Sequence, residues 1–114
     1  MTGKTHDFYL DKLADNLGQV GINRNDIEYI MKDGIWLLPE SKQRISLCDL
    51  IIVNYDGTAI AAELKGSYAK RNKATDQINY GRRFIEDTLE KKPLYGLFIV
   101  YKNCKYPFER IQFR

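Results

Sequence analysis

The sequence predicts an α/β fold, and three features carry that prediction. Two apolar, β-prone runs, Ser46 to Val53 and Thr58 to Lys65, are separated by Asn54-Tyr55-Asp56-Gly57, a hairpin signature. Asn72 to Lys91 reads as a helix, with Ile78, Phe84 or Ile85, Thr88 and Leu89 on its inward side. Leu94 to Tyr101 then forms a continuous apolar run, as a strand covered on both faces requires. Strand, helix and strand at this spacing make a right-handed βαβ crossover.

The remaining elements fit around that core. A first helix is expected from about Thr5 to Leu17, capped by Thr5 and stopped by Gly18. Its apolar stripe is Tyr9, Leu10, Leu13 and Leu17, and Asp7, Asp11 and Asp15 line an adjacent face. Residues 25–38 read two ways. Asn25 could cap a short helix ending at Gly34, or Ile27, Tyr29 and Met31 could alternate in a strand. At least one strand is expected there, because Ile35 to Leu38 is apolar and Pro39 stops it. Gly81 lies on the inward face of the second helix and would let it pack closely on a sheet. Phe108 to Phe113 is the candidate for one further edge strand.

Composition narrows the class of protein. The 114 residues are 44% apolar and 29% charged, with 18 basic and 15 acidic side chains and a net charge of +3. That is enough apolar material for one packed domain spanning 1–114, and too little charge excess for disorder. No apolar run approaches a membrane span. The first residues lack the apolar stretch of a signal peptide, so an intracellular, cytoplasmic protein is expected. Cys48 and Cys104 have no metal or framework spacing and read as buried thiols. The positive charge is concentrated: Lys65 to Arg83 carries +5 and Tyr101 to Arg114 carries +3. Two such blocks can present a phosphate-binding face, although a solvated helix surface would look the same.

The informative feature is the pair of acids in the hairpin. Aspartate is unfavourable inside strands, yet Asp49 and Glu63-Leu64-Lys65 interrupt apolar runs. With a two-residue turn at Asp56-Gly57, Asp49 faces Leu64. The register expected is that of a three-residue loop, Tyr55-Asp56-Gly57 with Gly57 left-handed, in which Asp49 faces Glu63 and Lys65 shares their side. Two carboxylates that close repel unless a cation lies between them or one is protonated. Hard oxygen ligands suit Mg²⁺, with Mn²⁺ as a substitute, and Lys65 could stabilise developing charge on a phosphate.

Asp49, the hairpin, Glu63-Leu64-Lys65 and then Gln77 near the start of the next helix resemble the PD-(D/E)XK nuclease superfamily. Together with the order α-β-β-β-α-β, the resemblance covers residues 5–101. It is closest to small stand-alone members, the Holliday-junction resolvases and the virus-type replication-repair nucleases. It implies a restriction-endonuclease-like core, with a central mixed sheet of four to five strands flanked by helices. It also implies a metal-dependent DNA endonuclease. Asp49, Glu63 and the Leu64 main-chain carbonyl would bind the metal, Lys65 would position or activate the water, and Gln77 would orient either one. Family members often add a glutamate from the first helix; here Asp7 or Asp11 would substitute, with Glu40 as a spare acid. Cys48 stands where the family name has proline.

The substrate-facing residues expected from this reading are Tyr68, Lys70, Arg71, Lys73 and Arg82. A non-catalytic nucleic-acid-binding module on the same fold is the rival reading, and a flap or nicking nuclease is a third. Two symmetric incisions at a junction call for a C₂ homodimer. Tyr95, Phe98, Tyr106, Phe108, Ile111 and Phe113 are the apolar residues available for its interface. No organic cofactor or membrane partner is expected. His6, the one histidine, reads as an exposed first-turn residue, and Trp36 as core.

Overall fold

The hairpin organises the sheet. In the computed structural model, which describes residues 4–32, 35–37, 44–102 and 105–113, strand β4 (Leu50–Asn54) returns antiparallel as β5 (Thr58–Lys65). Leu50 faces Ala62 and Val53 faces Ala59, the register of a three-residue loop. Gly57 has φ 87°, and its N–H donates to the Asn54 carbonyl at 3.2 Å. Only a residue without Cβ takes that backbone shape at no cost.

Helix α1 (Lys4–Ala14) precedes this sheet, followed by a 3₁₀ turn at Leu17–Val20. The helix ends earlier than expected and its stop is not Gly18, which lies inside that turn; Gly21 closes the turn in the left-handed conformation at φ 79°. Asn23, rather than Asn25, caps the next 3₁₀ turn by accepting from the Asn25 N–H. The ambiguous stretch then resolves as β1 (Ile27–Lys32), antiparallel to β4, and β2 (Ile35–Leu37), which contains Trp36 and pairs with β3 (Arg44–Ser46). The single strand expected from Ser46 to Val53 is therefore broken at Leu47-Cys48-Asp49, because the Asp49 side chain takes over the hydrogen bonding of the ladder.

Helix α2 (Arg71–Asp87) crosses over to β6 (Lys92–Val100), which pairs in parallel with β5. It is shorter than the expected run to Lys91; the N–H groups of Thr88 and Leu89 both donate to the Phe84 carbonyl, and Glu90 turns left-handed at φ 55°. β7 (Phe108–Ile111) adds antiparallel to β6. The result is a five-stranded mixed sheet, β1-β4-β5-β6-β7, beside the two-stranded β2-β3 sheet.

Alternation divides the core between the two faces of the sheet. Leu50, Ile52, Ile60, Ala62 and Leu64 pack with Leu10, Leu13 and Leu17 on the α1 side. Ile51, Val53, Ala59, Ala61 and Phe98 pack with Ala74, Ile78 and Ile85 on the α2 side. The crossover helix comes close as expected: a Cβ at Gly81 would lie 2.6 Å from Cys48 Sγ and 3.1 Å from Ala61 Cβ. Cys48 is buried, while Cys104 lies outside the described residues. Among the described residues no helix is long and apolar enough to cross a membrane.

Candidate metal centre at the end of the hairpin

The β4–β5 ladder stops one pair short of the two acids, and the acids themselves close it. The main-chain N–H of Asp49 donates to Glu63 Oε1 at 2.9 Å, and that of Leu64 donates to Asp49 Oδ2 at 2.8 Å. Each carboxylate thus satisfies a backbone donor on the opposite strand, which is why acids are tolerated where side chains would otherwise be apolar. Lys65 Nζ lies 3.0 Å from Glu63 Oε2. Asp49, Glu63, the Leu64 carbonyl and Lys65 therefore meet at one corner of the sheet.

The fifth member is His6, which was expected to be exposed and is instead 7% exposed. Its Nε2 lies 3.0 Å from both Asp49 Oδ2 and the Leu64 carbonyl oxygen. Its Nδ1 lies 3.5 Å from Asp7 Oδ1. Nε2 faces two acceptor oxygens and Nδ1 a third at 3.5 Å, an arrangement that favours the protonated ring. The hydrogen bond to Asp49 raises its pKa to about 9, against the cost of burial. The signal was present in the helical spacing. His6, Leu10, Leu13 and Leu17 form one stripe, so His6 continues the buried face by one turn.

Glu63 stands in the opposite condition. It is 2% exposed, and burial and then the Asp49 charge push its carboxyl up to about 7, while Lys65 pulls it down. Neighbouring Cys48 has its thiol pushed up by burial first and then by the charges of Glu63 and Asp49, so it is no nucleophile.

Gln77 can be placed by counting along α2. Gly81 packs on Ala61, α2 runs antiparallel to β5, and Gln77 lies one turn back, about 6 Å. Glu63 lies two residues past Ala61, nearly the same rise. Gln77 is therefore level with Glu63, and its Oε1 is buried with no hydrogen-bond partner.

The other expected residues scatter. Asp11 is exposed and pairs with Lys32 at 3.3 Å, and Asp7 is exposed and reaches only the far side of His6, so neither acid joins Asp49 and Glu63. Glu40 lies outside the described residues. Tyr68 is exposed beside the corner, its ring edge-on to Phe98 at 5.9 Å. Lys70 and Lys73 are exposed around the start of α2. Arg71 is committed elsewhere, to a two-point pair with Glu109 at 2.9 and 2.7 Å. Arg82 pairs with Glu86 at 3.1 Å. Of the apolar residues considered for a dimer interface, Phe98 and Tyr106 are buried in this chain's own core, while Phe108 is 41% exposed.

Among the described residues, no group of three or more His, Cys, Asp or Glu is arranged to hold a metal ion as it stands. His6 Nε2 lies against Asp49 Oδ2 and the Leu64 carbonyl, and a ligating imidazole must be neutral. The oxygens nevertheless suit a hard cation. A carboxylate and a main-chain carbonyl already converge on one positive group, and a second carboxylate beside them is short of positive charge. Comparison of the chain with protein-family models, with curated proteins and with solved structures found no match.

Proposed function

We propose that this chain is a divalent-metal-dependent DNA endonuclease on a restriction-endonuclease-like core. The observation that carries the reading is the meeting of Asp49, Glu63, the Leu64 carbonyl and Lys65 where β5 ends and β4 begins. Asp49, Glu63 and the Leu64 carbonyl would hold Mg²⁺ or Mn²⁺. Such an ion supplies Lewis-acid stabilisation of a phosphoryl oxygen and lowers the pKa of a water. Lys65, fixed by Glu63, is placed to stabilise charge on the phosphate or to position the attacking water. Gln77, level with Glu63 and carrying an unused oxygen, can accept a hydrogen bond from that water. His6 supplies the first-helix position at which the resemblance expects an acid. It balances the Asp49 charge when protonated and can become a ligand when neutral. Tyr68, Lys70 and Lys73 line the approach for the DNA backbone.

A non-catalytic nucleic-acid-binding module is favoured by one specific observation. Asp49 already pairs with His6 and Glu63 with Lys65, so each acid has a partner of its own without a metal. Cleavage separates the readings. Purified protein should cut one or more of a four-way junction, flap, linear duplex and single strand in Mg²⁺ or Mn²⁺. Asp49→Asn, Glu63→Gln and Lys65→Ala should each lower the rate by about 10²–10³-fold. Absence of cleavage of every form in both metals would leave the binding module. Holliday-junction resolution additionally requires a homodimer mass by light scattering, since one chain offers one site. With Phe98 and Tyr106 committed to the core, a monomeric flap or nicking enzyme becomes a closer competitor to that form.

A further inference from the structure

Strands β6 and β7 are joined beyond the catalytic end of β5, and two lysines face each other there. The Tyr101 N–H donates to the Lys65 carbonyl at 3.1 Å, and one residue further on Lys102 and Lys105 pair across the two strands. We propose that Lys102 and Lys105 together hold a phosphodiester of the cleaved DNA strand, about two nucleotides from the scissile one. The inference rests on the nuclease reading and deepens it: the strand must continue past the cut, as an endonuclease substrate does.

Register sets the side on which the lysines stand. Glu63 and Lys65 lie beside Phe98 and Val100 in the parallel ladder, so all four project on the α2 side of the sheet. Alternation from Val100 puts Lys102 on that side too, about 7 Å beyond Lys65. That is about two steps of a DNA strand, each about 3.4 Å of rise. Lys105, directly opposite Lys102, shares its side. So does Glu109, four residues on, which reaches Arg71 of α2.

Charge supplies the second argument. Like charges directly opposite on neighbouring strands destabilise the pairing. Both lysines are exposed, and among the described residues neither forms an ion pair. Glu109, the acid on their side of β7, is held by Arg71 at 2.7 Å. An anion between the two ammonium groups turns their repulsion into attraction, and a phosphate can accept from both. The backbone that carries them is anchored from the other face. Tyr101 stacks on Tyr9 of α1 at 4.7 Å, and the Tyr106 hydroxyl donates to the Tyr9 carbonyl at 3.1 Å.

The test is fluorescence anisotropy of a labelled blunt duplex with the full-length chain in chelator, across a salt series. Lys102→Ala/Lys105→Ala should weaken binding about tenfold and flatten the logarithmic salt slope by about 0.9. Lys91→Ala/Lys92→Ala removes the same charge at the opposite end of β6 and should change neither. The first double variant should also keep or raise its urea midpoint, because a like-charge pair is gone. An unchanged slope in K102A/K105A, equal flattening in K91A/K92A, or a lowered urea midpoint in K102A/K105A would overturn the proposal. Failure of the nuclease reading alone looks different: the lysine-dependent slope persists while the wild type cuts no DNA. Failure of the lysine site alone leaves a wild type that cuts DNA and a K102A/K105A variant that binds it as tightly.

Discussion

On the α1 side of the sheet, His6 reaches the corner with both ring nitrogens against oxygens, and Asp49 accepts from both the imidazole and the Leu64 N–H. On the α2 side, Glu63 is almost fully buried with its carboxyl raised to about 7, and Gln77 Oε1 is buried without a hydrogen-bond partner. The sheet, its end and the acid chemistry are common to both. What differs is the supply of positive charge. Helix α1 delivers a buried cation to Asp49, while Glu63 has only Lys65, 16% exposed, to set against burial and the Asp49 charge. One half of the corner is an ion pair, and the other is a buried carboxyl whose charge is only partly offset.

The sharpest way to break this comparison is pH, with metal chelated throughout. His6 has a pKa of about 9 in the folded chain against 6.5 ordinarily. Its stabilisation is therefore complete below about 6.5 and lost as pH rises through about 9. The shift corresponds to a contribution on the order of 3 kcal/mol. Glu63, with its carboxyl raised to about 7 from 4.5, loses its proton later than the unfolded chain does. Stability therefore also falls across that lower window, and the two declines adjoin. Urea denaturation at about pH 6 and about pH 9.5 should show the wild type weakening by about 4 kcal/mol, roughly three quarters of it from His6. His6→Gln should remove most of the loss above about pH 7. An identical decline in His6→Gln would mean that the α1 side holds no buried cation.

The next effect tests the close packing on the α2 side. A Cβ on Gly81 would meet Cys48 Sγ at 2.6 Å and Ala61 Cβ at 3.1 Å, and both neighbours are buried. Overpacking of this kind costs about 1–3 kcal/mol, offset in part by the better helix propensity of alanine. Gly81→Ala should lower stability by about 1–2 kcal/mol in a denaturant melt. Cys48→Ala in the same chain should restore part of that, because the colliding atom is gone. Strict additivity of the two substitutions would show that the helix moves away rather than pressing on Cys48.

How much of this could be read from the sequence follows from what kind of rule each feature obeys. The hairpin, its register and the parallel crossover were legible because turn chemistry and apolar runs are local. The meeting of Asp49, Glu63 and Lys65 followed from register alone. His6 was misread because a single polar residue at a helix start carries a surface expectation. Its place in the Leu10-Leu13-Leu17 stripe was the signal that outweighed it. The break in the strand at Asp49 was not legible, since it depends on a side chain replacing a ladder bond across to Leu64. Nor was the loss of Arg71 to Glu109, a pairing between residues 38 apart that only the crossover brings together.

The smallest effect concerns the turn that sets both halves of the corner. Gly57 has φ 87°, and nothing lies within 4 Å of where its Cβ would be. A substitution there meets no side-chain obstacle and reports backbone strain alone. Gly57→Ala should cost about 1 kcal/mol, since a residue with a Cβ resists the left-handed conformation. Gly57→Asn should cost less, because asparagine tolerates it. Both should lower the urea midpoint with an unchanged denaturant slope, the sign of altered stability without altered compactness. If the loop instead converted to a two-residue turn, every pair along β4 and β5 would slip by one and Asp49 would face Leu64. Asp49 and Glu63 would then point to opposite faces, and the corner would lose its shared charge. An alanine variant that keeps its stability but loses the His6-dependent pH profile would reveal that slip. One that loses about 1 kcal/mol and keeps the profile would show that the register is held by the apolar pairs themselves, Leu50 on Ala62 through Val53 on Ala59.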